Sequence, residues 1–76
     1  MIGTVIKFMR KDNNLTQYEL AKLLNIKQNT LSRYETENSD INFKTIEEIA
    51  KICGFEIYFK KDKKEFKAKD LKRKDI

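Results

Sequence analysis

At 76 residues the chain is too short for more than one domain, and a domain this small buries only about 60% of its unfolded surface. With 39% hydrophobic and 38% charged residues, and no apolar run approaching about 18 residues, it can build one small core but no transmembrane helix. The lack of histidine and the single cysteine, Cys53, exclude an internal disulfide and leave too few ligands for a zinc site, while the formal charge of +5 favours polyanionic partners without naming one.

The first element is expected over residues 2–11. There Ile2, Val5, Ile6 and Met9 recur at spacings of three and four, one face of a helix, with Phe8 at its edge. Asp12-Asn13-Asn14 reads as a polar turn. The N-terminal stretch has neither the basic region nor the small-residue cleavage site of a signal peptide. A second helix opens at Thr16-Gln17-Tyr18-Glu19, the pattern of a capping box, and presents Leu20, Ala21 and Leu24 inward. Asn25 can adopt the left-handed conformation that ends many helices, and Ile26 turns the chain back to the core.

A third helix runs from Gln28 to about Tyr34, with Leu31 and Tyr34 inward and Gln28, Asn29, Thr30, Ser32 and Arg33 outward. Residues 35–42 form a polar loop that Ile41 anchors. A fourth helix, capped by Asn42, runs from Phe43 to Cys53 with Phe43, Ile46, Ile49, Ala50 and Cys53 inward. Cys53 is thus expected as a small buried hydrophobe, which suits the reduced cytoplasm. After Gly54 the period changes to two, and one strand is expected at residues 55–60. Residues 61–76 are expected as a basic, flexible tail, with at most a short helix around Phe66 and Leu71. Residues 1–55 hold eight basic and seven acidic residues, a net of +1; residues 56–76 hold nine and five, a net of +4.

The informative stretch is residues 17–35. Two helices that cross closely need a small residue at the contact, a turn residue that accepts positive φ, and apolar inner faces. Ala21, Asn25, and the set Leu20, Leu24, Ile26, Leu31 and Tyr34 meet these needs. On these residues, together with Met9-Arg10, Leu15-Thr16-Gln17, Glu19-Leu20-Ala21, Leu31-Ser32-Arg33-Tyr34-Glu35 and Ile49–Gly54, the span from Ile2 to about Gly54 resembles the Cro/C1-type (XRE) helix-turn-helix family. The resemblance implies a mainly α, compact four-helix, lambda-repressor-like domain over residues 1–54. It also implies sequence-specific binding of double-stranded DNA as a transcriptional regulator, usually a repressor. The family often has glycine where Asn25 and Glu37 stand, proline at Ile41, and serine or threonine at Lys27. It commonly has a fifth helix where this chain shows a strand.

In such a motif the second helix enters the major groove. Gln28 and Asn29 are then expected to read base edges, since their amides both donate and accept. Arg33 reads guanine or grips a phosphate, and Thr30 and Ser32 contact either. Gln17, Lys27 and Lys44 are expected on backbone phosphates. Two copies reading a palindrome would be needed for affinity, and the strand residues Phe55, Ile57, Tyr58 and Phe59 are the expected homodimer contact. The alternative reading is an antitoxin that binds both its operator and a toxin protein. A protein-interaction module without a DNA role is a further alternative. An enzyme is excluded by the missing catalytic constellation, and no cofactor is expected.

Overall fold

The computed structural model describes residues 1–68 and 70. Four helices, α1 (Ile2–Asp12), α2 (Gln17–Leu24), α3 (Gln28–Glu35) and α4 (Phe43–Cys53), precede an antiparallel hairpin of β1 (Tyr58–Lys61) and β2 (Lys64–Lys67). Among the described residues no helix is long and apolar enough to cross a membrane.

Local chemistry sets the helix ends. Thr16 Oγ1 accepts the Glu19 amide at 3.1 Å, and Glu19 Oε1 accepts the Thr16 amide at 2.8 Å, so two orphan donors of α2 are satisfied reciprocally. Asn25 takes φ 58° and lets the Ile26 amide return to Ala21 O at 3.0 Å. Gly54, at φ 77°, closes α4 the same way, with the Phe55 amide on Ala50 O at 2.8 Å. Asn42 Oδ1 caps α4 through the Thr45 amide at 2.8 Å. Each such cap stabilises its helix by about 1 kcal/mol.

The core takes one fully buried aliphatic side chain from each helix: Ile6, Leu20, Leu31 and Ile49. Met9, Ala21, Ala50 and Cys53 complete it. Asn13, just past α1, spends both amide hydrogens on carbonyls, Met9 O at 3.0 Å and Cys53 O at 2.9 Å, and so ties the end of α1 to the end of α4.

The buried face of α1 differs from the expected one. It carries Gly3, Ile6, Met9 and Arg10, while Val5 is 39% exposed and Ile2 only half-buried. The rotation follows from two contacts that apolar periodicity does not encode: Arg10 turns inward to an ion pair, and Gly3 lies against the end of α3. A Cβ at Gly3 would stand 2.7 Å from Glu37 Cγ, 2.8 Å from Tyr34 O, and closer still to Glu35 O. Two of these atoms are backbone and cannot swing away. Gly3→Ala is therefore expected to destabilise the domain by about 1–3 kcal/mol, despite alanine's better helix propensity, as a fall in thermal midpoint by circular dichroism. Phe43, expected inward, is 45% exposed because it begins α4 and faces the hairpin instead of the core.

The C-terminal part also departs from expectation. The strand begins at Tyr58, not Phe55, and does not stand alone: residues 64–67, expected as flexible tail or helix, form its partner, with Tyr58 opposite Lys67 and Phe59 opposite Phe66. Asp62, at φ 55°, makes the tight turn. Phe55 and Ile57 pack on the domain's own core instead. The rest of the expected tail, residues 69 and 71–76 with Leu71, lies outside the described residues.

Candidate nucleic-acid interface

α3 is fixed in rotation by Leu31, which is fully buried. With that side chain inward, Gln28, Asn29 and Arg33 are exposed, and Thr30 and Ser32 are half-buried. Gln28 and Ser32, like Asn29 and Arg33, are four residues apart, so the polar residues share one outward face. No side chain caps the N-terminus of α3, because Lys27 occupies the N-cap position and makes no capping hydrogen bond. Among the described residues the opening amides of α3 have no side-chain acceptor, and a cation sits at the positive end of the helix dipole. Both features favour an anion there. Lys27 and Lys44 are exposed.

Gln17 is placed differently from a freely exposed phosphate ligand. It is half-buried, and its amide donates to Glu35 Oε1 at 3.1 Å. A side-chain amide has two hydrogens, so one contact to Glu35 leaves the second for an acceptor outside. The network behind it is invisible to sequence reasoning. Arg10 donates through Nε to Glu35 Oε2 at 2.6 Å and through Nη2 to Glu35 Oε1 at 3.0 Å, and Nη1 reaches Leu15 O at 2.8 Å. The two side chains are 9% and 3% exposed. One bidentate pair therefore links α1, the loop before α2 and the end of α3, and orients Gln17. The signal that could have found it is an arginine one residue past Met9 on the buried stripe, with a glutamate closing the polar face of α3.

Burial works to raise the Glu35 pKa, but hydrogen bonds from Arg10 and Gln17 and the charge of Arg10 outweigh it and hold the carboxyl below its ordinary value. A group with a depressed folded-state pKa stabilises the fold above its unfolded pKa, about 4.3 for glutamate. That stability is lost as pH falls from there through the folded-state value. Urea midpoints should accordingly be level from neutral pH to about pH 5 and fall below it, and the fall should be shallower in Glu35→Gln.

Glu37, at a position where glycine is common in such domains, takes φ 60°. It accepts the Gly3 amide at 3.2 Å and the Met1 ammonium, so its side chain bonds the first turn of α1 from a conformation that costs a non-glycine residue about 1 kcal/mol. Cys53 is buried, and burial followed by the charge of Asp12 pushes its thiol pKa up, which keeps it protonated and unreactive. Among the described residues no group of three or more His, Cys, Asp or Glu side chains could hold a metal.

Of the expected dimer residues, Phe55 and Ile57 are turned to their own core, while Tyr58 and Phe59 are exposed. Phe59 stacks between Phe43 and Phe66, with ring centroids 6.1 Å from each, and all three rings are 41–45% exposed.

A family model described as helix-turn-helix matches residues 6–59. The chain is similar to the antitoxin PezA of Streptococcus pneumoniae serotype 4, at 45% identity over 47 residues. That match covers 62% of this chain and 30% of the length of PezA. No solved structure matches the chain significantly.

Proposed function

The chain belongs to the helix-turn-helix family, and from that premise we propose that it reads a double-stranded DNA operator through α3 as a transcriptional repressor. The observation that carries this reading is the joint exposure of Gln28, Asn29 and Arg33 on a helix whose opposite face is locked by Leu31. Gln28 and Asn29 suit adenine, Arg33 suits guanine or a phosphate, and Thr30 and Ser32 flank them. Gln17, Lys27, Lys44 and the uncapped amides of α3 hold the backbone. The reading places the protein in the cytoplasm, where its DNA is. Selection of bound duplexes from a random pool, at two salt concentrations, tests it. A consensus that survives the higher salt supports the reading; a pool that stays random overturns it.

Within the same reading the protein acts as a homodimer. The exposed rings of Phe43, Phe59 and Phe66 form an apolar surface that a second copy would cover. Such a dimer presents two copies of α3 to half-sites about 34 Å apart. Sedimentation should give a dimer at micromolar concentration for wild type and a monomer for Phe59→Lys.

A second reading is favoured by the likeness to PezA: an antitoxin that binds its operator and also a toxin. It predicts that a toxin encoded by an adjacent gene co-purifies with this chain, and that Gln28→Ala with Asn29→Ala leaves that complex intact.

A further inference from the structure

The hairpin follows α4 backwards. From Phe43 to Cys53 the helix rises about 15 Å. The chain then returns from Gly54 along α4, and it arrives with the Phe59 ring 6.1 Å from the ring of Phe43. The two residues that follow extend the strand by about 7 Å. The hairpin thus lies beside the N-terminal end of α4 through Phe59 on Phe43, and Lys44, next to Phe43, is exposed.

Charge is divided unevenly between the two faces of this ribbon. Residues directly opposite share a face, and faces alternate along each strand. One face carries Tyr58, Lys67, Lys60 and Glu65. Its cations have acidic neighbours: Lys67 pairs with Glu56 at 3.2 Å, and Lys60 stands directly across the ladder from Glu65. The other face carries Phe59 and Phe66, which meet Phe43, and then Lys61 and Lys64 directly opposite each other. Lysines in that register repel, and a hairpin gains nothing from them in the free protein. Among the described residues neither forms an ion pair, nor does Lys44. Residues 60–64 read Lys-Lys-Asp-Lys-Lys, four cations to one anion.

We infer that Lys61 and Lys64, at the tip of the hairpin, are a second DNA-contacting element that grips backbone phosphates outside the segment read by α3. The occupant is a duplex backbone because its closely spaced charges complement a paired, uncompensated lysine register, and because the hairpin packs on the end of α4 that carries Lys44, a proposed phosphate contact. The phosphates relieve the Lys61–Lys64 repulsion, so hairpin and DNA support each other. This inference rests on the DNA-binding reading above. It adds affinity without sequence information, since phosphate contacts position the protein and do not specify bases.

The test uses the full chain and Lys61→Ala with Lys64→Ala, both on exposed positions, with folding checked by circular dichroism. Binding to the selected duplex is followed by fluorescence anisotropy between 50 and 300 mM salt. Removing two phosphate-binding cations predicts binding weaker by roughly 10- to 30-fold near 0.15 M salt, a log–log salt slope less steep by about 2, and an unchanged consensus. Equal affinity and equal slope in the variant overturn the inference and leave the lysines to an acidic protein surface. A wild-type chain that selects no consensus overturns the reading of α3 instead, whatever the slopes of the two proteins.

Discussion

Arg10→Met lowers the unfolding free energy by about 3–5 kcal/mol, because it leaves the Glu35 carboxylate charged and enclosed without its partner. Domains of this length have a total stability of roughly 4–11 kcal/mol, so the variant is expected to be largely unfolded at modest temperature. The loss is not the worth of the ion pair itself. Taking both charges out of water costs nearly what their attraction returns, so Arg10→Met with Glu35→Leu recovers much of the stability. Recovery is incomplete because Leu15 O loses the Arg10 donor and the Gln17 amide loses its acceptor. Urea titrations followed by helical circular dichroism give the ordering: wild type, then the double variant, then Arg10→Met. A single variant as stable as wild type would show that the pair is solvated and carries little of the fold.

Gln28→Ala with Asn29→Ala is expected to separate recognition from folding. Both side chains are exposed, and among the described residues no hydrogen bond holds either, so the thermal midpoint should stay within the range of ordinary surface changes. Removing one base-reading side chain costs about 1–3 kcal/mol of discrimination, so removing two should lower affinity for the selected duplex by roughly 30- to 10⁴-fold. Affinity for random duplex should hardly change, since the phosphate contacts remain. Competition titrations against random DNA measure the two together. Parallel decreases on both duplexes would mean that α3 grips only the backbone, and that another surface reads sequence.

Much of the helical part was legible because its boundaries are set by residues acting over one turn. Thr16 with Glu19, Asn25, Asn42 and Gly54 each act within a few residues of their own position, and the ends they fix are those of α2 and α4. Failures came where partners lie far apart in the chain. Arg10 and Glu35 are separated by 25 residues, and without their pairing α1 reads as a stripe through Val5 rather than through Gly3 and Arg10. The second strand was hidden for another reason. Lys-Glu-Phe-Lys has one apolar residue, and the turn at Asp62-Lys63 lacks the glycine that marks most two-residue hairpins. Pairing across the strand, Phe66 on Phe59, gives that segment its structure. The outward face of α3 was readable because Leu31 and Tyr34 fix its inward one, whereas the tether on Gln17 was not.

The side chain of Asn13 is a latch that works with donors only. Both of its hydrogens point at carbonyl oxygens, one from its own helix and one from the far end of the fourth. Aspartate has the same size and shape, yet it would set lone pairs against lone pairs at both contacts. Slow loss of ammonia from this one residue, a change that adds no bulk and breaks no chain, would therefore turn a clasp into a wedge. The oldest copies of the protein would loosen where the first and fourth helices finish.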